Sequence, residues 1–345
     1  MEEKLMERLK RLPKVDLHLH LDGSVKPSAV QELAERQGKK LPITDGGDLT
    51  PWMQIDSGCT DLRHYLSKFD FVLPFLQTGD ALEQVAFDTV QQADEQNCLY
   101  IEVRYAPLLH TVGGLELEEI INHVNNGLAR GERTFGVLAR SILICMRHDS
   151  YERNAAVIEA ASRYYGNGVV AVDLAGDEAG FPPHLHRPLF NLAKRHELPI
   201  TIHAGEAGGA QNVIEAIKEL GANRIGHGIR IDGEQEAIEL VRRTGTPLEL
   251  CPVSNIQTKA AADWESYPIK SFLEQGIAVT VNTDNLTVSD TSITLEYAML
   301  YERCGLSMEE LGKLIRNGAA AAFLEQPLKA RLIERVERLL EHEGL

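Results

Sequence analysis

The stretch Val15-Asp-Leu-His18-Leu-His20 places two histidines at alternate positions of a short apolar run. Side chains alternate between the two faces of a β-strand, so His18 and His20 would point the same way and could bind one metal ion together. Three further apolar runs end in acidic residues or histidines, and the four segments together predict one site built from several strand ends. These runs are Ile200-Thr-Ile-His203-Ala-Gly-Glu206, Arg224-Ile-Gly-His227-Gly228 and Val279-Thr-Val-Asn-Thr-Asp284-Asn285.

The chain contains eight apolar runs of strand length, and most are followed by a helical pattern. Runs such as Val169-Val-Ala-Val-Asp-Leu174 show little alternation, as expected for strands that are buried on both faces. Strand-helix units in this number predict an α/β fold, a TIM-type (β/α)8 barrel whose chemistry lies at the carboxyl ends of the strands. The runs lie near residues 14–20, 99–107, 140–149, 169–176, 199–206, 224–228, 246–253 and 278–284.

The length of 345 residues exceeds the roughly 250 of a minimal barrel. The additional residues lie mostly between the first two strands and at the C-terminus, so we expect a long helical insertion after strand 1 and additional C-terminal helices. Ser307-Met-Glu-Glu310 fits a capping box at the start of one of these helices. No Gly/Ser-rich linker or internal repeat interrupts the sequence, and we expect a single domain over residues 1–345.

The formal net charge of −16 disfavours nucleic acid and anionic membranes as partners, because both would be repelled. The five cysteines are scattered and include no Cys-x-x-Cys pair, which is typical of reduced thiols in the cytoplasm. Residues 1–10 predict a charged amphipathic helix, not a signal peptide, and no run approaches the ~18 apolar residues of a membrane span. We expect a cytoplasmic protein that acts on a small molecule; the sequence does not indicate its oligomeric state.

The residues at the strand ends suit one catalytic zinc ion, which needs a few nitrogen or oxygen ligands at roughly 2.0–2.2 Å and an open position for water. Water bound to zinc has a pKa of about 7 instead of 15.7, so it supplies hydroxide at neutral pH. Glu206 could transfer a proton without binding metal, and His227 could orient the water. The same donors could also hold cobalt, iron or manganese. The candidate ligands are His18, His20, His203 and Asp284.

A second His-x-His pair, His184-Leu-His186, lies in a Pro-flanked stretch that is typical of a loop leading into a helix. A loop does not fix the facing of alternate side chains as a strand does. We therefore expect His184 and His186 at the surface, on a loop that could border the pocket.

Five motifs are distributed along the chain: His18-Leu-His20-Leu-Asp22-Gly23, Asp173-Leu-Ala-Gly176-Asp-Glu178, His203-Ala-Gly-Glu206, Gly226-His227-Gly228 and Asn282-Thr-Asp284. In this order and at these strand positions, they resemble the motif series of the adenosine deaminase family. The resemblance also covers Glu102-Val-Arg-Tyr-Ala-Pro107 and Cys251-Pro-Val-Ser254, so it spans nearly the whole chain.

The resemblance implies zinc-dependent hydrolytic deamination at C6 of a purine nucleoside, with one Zn²⁺ per chain. Adenosine, and by extension 2′-deoxyadenosine, would be converted to inosine or its deoxy form with release of ammonia, a reaction of purine salvage. Glu206 would protonate purine N1, while His227 and Asp284 would position the attacking oxygen. The implied metal ligands are again His18, His20, His203 and Asp284. The implied substrate contacts are His20, Asp22, Gly176, Asn285, Tyr65, Leu66 and Phe69.

The region 52–76 resembles the helical lid of the family, and there we expect Tyr65, Leu66 and Phe69 to cover the nucleoside. For Phe71 and Phe75 we expect packing between the helices and the barrel. Asn285 stands where many family members have a second aspartate. Because purine N7 is an acceptor and an amide N–H donates at any pH, we expect Asn285 to donate to N7.

Three alternatives stay open at this point. A deaminase of free adenine would use the same zinc chemistry but typically has Glu where Asp22 stands. A zinc amidase or phosphotriesterase-like barrel often has two metals bridged by a lysine from strand 4, and Val169–Gly176 contains no lysine. A binding protein with a structural zinc would usually have four protein ligands with cysteines among them.

Overall fold

Eight parallel strands form the centre of the structure, a computed structural model that describes residues 3–44 and 47–345. They form two four-stranded sheets with the orders β1-β2-β3-β4 and β5-β6-β7-β8, and every neighbouring pair is parallel. Bridges between Val172 and Ile200 and between Leu19 and Asp284 join the sheets at both edges, so the strands close into the predicted barrel. The strands are β1 (Lys14–His20), β2 (Cys98–Tyr105), β3 (Leu138–Met146), β4 (Val169–Ala175), β5 (Thr201–Ala204), β6 (Arg224–His227), β7 (Leu248–Leu250) and β8 (Val279–Val281).

The closure between β8 and β1 lies at the carboxyl ends of the strands. The backbone N–H of His20 donates to the carbonyl of Asp284 at 2.7 Å, and the N–H of Asp284 donates to the carbonyl of His18 at 2.8 Å. Residues separated by more than 260 positions in the sequence are therefore fixed side by side by main-chain hydrogen bonds.

Helices follow the strands and surround the barrel. Residues 21–97 separate β1 from β2 and contain α2 (Pro27–Gln37), α3 (Thr50–Met53), α4 (Leu62–Leu66), α5 (Phe69–Val72) and α6 (Gly79–Asp94). The later connections contain α7 (Leu117–Phe135), α8 (Tyr151–Tyr164), α9 (Arg187–Arg195), α10 (Ala210–Glu215), α11 (Gln235–Thr244), α12 (Pro252–Gln257), α13 (Ile269–Glu274) and α14 (Ile293–Arg303).

Helices from both ends of the chain pack against the barrel. These are α1 (Glu3–Arg11), α15 (Met308–Ala321) and α16 (Gln326–His342); Met1 and Glu2 of the predicted N-terminal helix lie outside the described residues. The capping box of α15 is confirmed: Ser307 Oγ accepts from the N–H of Glu310 at 3.2 Å, and Glu310 Oε2 accepts from the N–H of Ser307 at 2.7 Å. Within the described ranges, no helix combines the length and apolar character needed to cross a bilayer.

Candidate active site

Three imidazole rings and one carboxylate converge at the carboxyl end of the barrel. The ligand nitrogens of His18, His20 and His203 lie within 4.8 Å of one another, and the Nε2 atoms of His20 and His203 are 3.3 Å apart. Asp284 Oδ1 is 3.3 Å from His20 Nε2 and 3.6 Å from His18 Nε2. Donor atoms that bind one zinc ion tetrahedrally at 2.0–2.2 Å lie roughly 3.3–3.6 Å apart. The spacing of these four side chains therefore suits a single cation.

The protonation of two of these histidines also suits a metal. His18 Nε2 is buried and has no hydrogen-bond partner among the described residues. The Nδ1 atom of His18 lies 2.9 Å from Glu249 Oε2, and that of His203 lies 3.0 Å from Asp173 Oδ2. A carboxylate at Nδ1 places the proton there and leaves the Nε2 lone pair for a metal. Burial further lowers the pKa of His18, which favours the neutral ring.

One buried guanidinium binds both of these carboxylates. Arg104 donates from Nη1 to Asp173 Oδ2 at 2.9 Å and from Nη2 to Glu249 Oε2 at 2.8 Å. Burial raises the pKa of Asp173, but His203 and Arg104 outweigh this and hold that pKa well below its ordinary value. Burial likewise raises the pKa of Glu249, and Arg104 and Arg224 bring it below the ordinary value. Both carboxyls are therefore ionised and can orient the imidazoles.

The sequence did not predict a role for Arg104, Asp173 or Glu249. Arg104 lies on β2, Asp173 on β4 and Glu249 on β7, and each is fully buried. The available signal was a charged residue inside a strand that is otherwise apolar, because such a residue in a buried strand must have a partner of opposite charge.

Glu206 follows β5, and its carboxyl group lies beside His227 at the end of β6. Glu206 Oε1 accepts from Thr258 Oγ1 at 3.0 Å, and Oε2 is 3.5 Å from His227 Nε2. Burial, followed by the nearby charges of Asp284 and Glu178, raises the pKa of Glu206 well above its ordinary value. Burial therefore favours the protonated form of this carboxyl group.

Asn255 on α12 determines which nitrogen of His227 carries the proton. The hydroxyl of Tyr267 donates to Asn255 Oδ1 at 3.0 Å, which leaves the Asn255 amide N–H to donate to His227 Nδ1 at 3.0 Å. Burial lowers the pKa of His227, so the ring is neutral and its proton is on Nε2, facing Glu206. His227 and Asp284 have φ values of 61° and 60°, a left-handed conformation that non-glycine residues adopt rarely and mostly at functional sites.

The second carboxylate oxygen of Asp284 is also fixed. Ser254 Oγ on α12 donates to Asp284 Oδ2 at 2.6 Å, while Oδ1 faces the imidazoles of His18 and His20. Ser254, Asn255 and Thr258 were not predicted as site residues because α12 is a short helix of six residues, too short to show a periodic pattern that would place them.

A cavity of about 370 Å³ opens above this cluster, within the usual range for small-molecule sites. His18 is completely buried beneath it. The other predicted site residues line the cavity: His20, His203, Glu206, His227 and Asp284 on one side, with Asp22, Tyr65, Leu66, Phe69, Gly176 and Asn285 around the remainder.

Asp22 and Asn285 present polar atoms in this cavity. Asp22 Oδ1 and Asn285 Oδ1 are buried and have no hydrogen-bond partner among the described residues. Burial raises the pKa of Asp22 to about 6, and its side chain caps no helix. A Cβ atom on Gly23 would lie 1.8 Å from Asn285 Oδ1, so the glycine makes room for this amide.

Helix α4 is hydrogen-bonded to the loop after β8. The hydroxyl of Tyr65 is 2.6 Å from Ser289 Oγ, and Asp61 caps the helix by accepting from the N–H of His64 at 2.9 Å. Phe75 is buried in the main core and Phe71 packs against it, whereas Phe69 packs with Tyr65 in a separate apolar cluster beside the cavity.

The prediction for the second histidine pair is half wrong. His184 is exposed and lies 3.0 Å from Glu215, but His186 is buried. Pro183–His186 form a 3₁₀ turn, and its three-residue period points the two side chains to different sides.

The barrel and the cluster at its mouth define an α/β-barrel protein with a candidate metal centre. The family model described as adenosine deaminase matches residues 13–339. The adenosine deaminase of Enterococcus faecalis is 42% identical over 331 residues, 96% of this chain and 98% of that protein. That of Clostridium botulinum strain Kyoto is 43% identical over 321 residues, 93% of this chain and 96% of that protein. The chain belongs to the adenosine deaminase family.

A solved structure agrees with this assignment. The crystal structure of adenine deaminase from Arthrobacter aurescens superimposes with a TM-score of 0.88 at 28% identity, covering 96% of this chain and 99% of that one. The fold is thus shared by deaminases whose names specify different purines.

Glu296 on α14 bonds to the start of α12, the helix that carries Ser254 and Asn255. Its carboxyl accepts from the N–H of Val253 at 3.0 Å and from Thr291 Oγ1 at 2.7 Å. Glu296 is fully buried, and burial raises its pKa to about 8. The folded protein therefore binds this proton where the unfolded chain, with a Glu pKa of about 4.3, has lost it.

We predict that Glu296→Gln removes one contribution to stability that decreases as the pH rises. Between about pH 4.3 and 8 the protonated carboxyl of Glu296 contributes less to the stability of the wild-type protein as the pH rises, whereas glutamine does not titrate and can still bond to Val253 and Thr291. The free energy of unfolding of the variant minus that of wild type should be larger at pH 7.5 than at pH 4.5, by on the order of 2–4 kcal/mol. Urea titrations at several pH values measure this difference, with exposed Glu302→Gln on the same helix as the control; parallel curves for wild type and variant would contradict it.

Proposed function

We propose that this protein is a zinc-dependent adenosine deaminase that converts adenosine and 2′-deoxyadenosine to inosine or 2′-deoxyinosine and ammonia in purine salvage. One observation carries the proposal: a cation-sized cluster of three imidazoles and Asp284 lies beside the buried carboxyl group of Glu206, whose pKa is raised by burial. Relatives that are named adenosine deaminase and are 42–43% identical over at least 93% of the chain support the choice of substrate.

We propose that one Zn²⁺ is held by His18, His20, His203 and Asp284. When bound, the ion supplies hydroxide from water at neutral pH. Asp173 and Glu249 keep the proton on Nδ1 of their histidines, so that the opposite nitrogens are available as ligands.

Glu206 acts as the acid in this proposal. It donates its proton to purine N1, which withdraws electrons from C6, while Thr258 fixes one carboxyl oxygen. His227, with its proton on Nε2, and Asp284 orient the attacking oxygen towards C6. The hydroxyl oxygen adds to C6, and its proton passes to the exocyclic amino group. The bond from C6 to that nitrogen then breaks, ammonia leaves and C6 becomes a carbonyl, while the proton that the water lost on ionisation returns to Glu206.

Three groups of the cavity recognise the nucleoside. The backbone N–H of Gly176 donates to N3; its φ of 106° is a conformation that favours glycine. The carboxylate of Asp22 accepts a hydrogen bond from the ribose 5′-hydroxyl, and its charge would repel a 5′-phosphate. Asn285 donates to N7, because its amide oxygen packs against Gly23 and leaves the amide nitrogen for the purine.

The lid completes the site. Tyr65, Leu66 and Phe69 cover the nucleoside and exclude bulk water, so that the activated water attacks the purine alone. His20, a proposed metal ligand, also lines the cavity, so its ring would face the purine as well.

We further infer that residues 1–345 form one domain in the cytoplasm. The main cluster of buried apolar side chains extends from Leu9 to Leu340, which supports one domain. The cysteines are free thiols, and four of the five are buried, which supports a reducing compartment.

We predict that the purified protein deaminates adenosine and that this activity depends on its metal. Mixing with adenosine should give the ultraviolet change of inosine formation; a chelator should abolish it and Zn²⁺ should restore it. Metal analysis should find one ion per chain. Faster turnover of free adenine than of adenosine would favour the adenine deaminase alternative, and two ions per chain would favour the two-metal barrel.

We predict that Glu206→Gln lowers kcat by about 10²–10⁴-fold, the range that a general acid contributes. Glutamine preserves the shape and the contact with Thr258 but cannot give up a proton. Bound zinc and the midpoint of thermal unfolding should match those of wild type. A Glu206→Gln enzyme with the kcat of wild type would contradict the proposed role of Glu206 as the acid.

We predict that Asn285→Ala lowers kcat/KM for adenosine by about 5–150-fold. This corresponds to a loss of about 1–3 kcal/mol of transition-state stabilisation, the value of one lost hydrogen bond in a closed site. The matched control is 7-deazaadenosine, in which a C–H group replaces N7. Wild type and variant should bind or turn over this analogue equally, since neither can donate to it. An equal loss on both nucleosides would mean that the amide does not contact N7.

A further inference from the structure

The main chain around Glu206 is bound by two charged side chains from other loops. The carboxylate of Glu178, after β4, accepts from the backbone N–H groups of four successive residues, at 2.6 Å (Gly205), 3.0 Å (Glu206), 2.8 Å (Ala207) and 2.9 Å (Gly208). It also accepts from Asn212 Nδ2 at 2.9 Å. On the opposite side, Arg230 donates to the carbonyl of Glu206.

This arrangement is specific to one conformation of residues 205–208. Successive backbone N–H groups point to one anion only when the chain turns around it. Gly205 has a φ of 73°, and a Cβ atom on Gly208 would lie 2.6 Å from Glu178 Oε1, so the turn closes tightly on the carboxylate. Glu178 is 2% exposed, and burying a carboxylate is costly unless donors of this kind surround it.

Each polar group of Glu206 is thus bound from a different loop. Glu178 binds its N–H, Arg230 its carbonyl, and Thr258 its carboxyl group. Among the described residues, the carboxyl oxygens of Glu206 have one hydrogen-bond partner, Thr258, and lie 3.5 Å from His227 Nε2. The direction of the Glu206 carboxyl therefore depends on the turn that carries its backbone.

We propose that Glu178 is a positioning residue of the reaction, whose carboxylate holds the 205–208 turn so that the Glu206 carboxyl is aligned with the ring nitrogen that it protonates. The inference rests on the proposed acid role of Glu206. It assigns to Glu178 no contact with substrate or metal, so its removal should slow the chemical step and leave substrate binding intact.

The test is Glu178→Gln, with Glu215→Gln on α10 as the matched control. Glutamine can still accept from residues 206–208, and Asn212 can flip its amide towards it, but an amide N–H then opposes the N–H of Gly205. A shift of about 1 Å in a catalytic group can cost 10²-fold. We expect kcat per folded, zinc-loaded protein to fall by about 10–100-fold, KM to change less than twofold and zinc content to remain unchanged, with a lower thermal midpoint because the opposed N–H groups also cost stability. Glu215→Gln, which alters contacts with exposed His184 and with Gln211 but none with residues 205–208, should behave as wild type.

A double variant separates positioning from a general structural role. If Glu178 acts through Glu206, Glu178→Gln should lower the residual rate of Glu206→Gln by less than twofold. A full 10–100-fold further loss in that background, or a kcat loss that matches a loss of folded or zinc-loaded protein, would overturn the inference. So would wild-type kcat in Glu178→Gln.

The same set distinguishes this inference from its premise. If Glu206→Gln is inactive and Glu178→Gln is fully active, only the positioning role fails. If Glu206→Gln retains wild-type kcat, the acid role fails and the positioning role fails with it. Should Glu178→Gln not fold, Asn212→Ala removes one donor from the same carboxylate and should produce a smaller fall in kcat with unchanged KM; no fall would count against the inference.

Discussion

The buried guanidinium of Arg104 is the interaction on which the rest of the site depends. Two ionised carboxylates, Asp173 and Glu249, lie in the barrel interior, where an unpaired charge would be very costly. Arg104 bonds to both, so they can remain ionised. Each carboxylate then fixes the ring of one histidine, His203 or His18. Without the guanidinium, Asp173 would lose this ion pair and Glu249 would keep its ion pair with Arg224, so the pKa of each carboxyl would rise and the imidazoles would be held less firmly.

Closure of the barrel supplies the second constraint. His18 and His20 share one face of β1 because alternate residues of a strand do, but the fourth proposed ligand comes from the other end of the chain. The hydrogen bonds between β1 and Asp284 that close the barrel are the same bonds that bring this carboxylate to the imidazoles. The left-handed conformations of His227 and Asp284 turn their side chains inwards at the mouth, and the packed barrel sustains that strain.

The pattern of the sequence was sufficient to predict the barrel and the histidines at its mouth, because buried strands and strand-end histidines follow from periodicity. The remaining cavity residues, such as Asp22, Gly176 and Tyr65, were predicted from the resemblance to the family. It was not sufficient for Arg104 and Glu249, since their pairing depends on which residues of different strands reach the same depth of the barrel. Glu178 was visible only as part of a motif, because its partners are backbone N–H groups that no residue type reveals. The prediction that His186 lies at the surface is wrong because Pro183–His186 form a 3₁₀ turn, whereas the flanking prolines predict an irregular loop.

The division of protons between Asp284 and Glu206 follows from their surroundings. Burial raises the pKa of both, and the two carboxyls are close enough that one charge disfavours the other. Asp284 accepts from the hydroxyl of Ser254 and faces imidazoles, and a cation bound there would hold it ionised. Among the described residues, the carboxyl of Glu206 accepts from one donor, the hydroxyl of Thr258, and the carboxylate of Glu178 lies beneath its main chain. These surroundings favour the proton on Glu206, which is what the proposed function requires: an ionised ligand and an acid at the same pH.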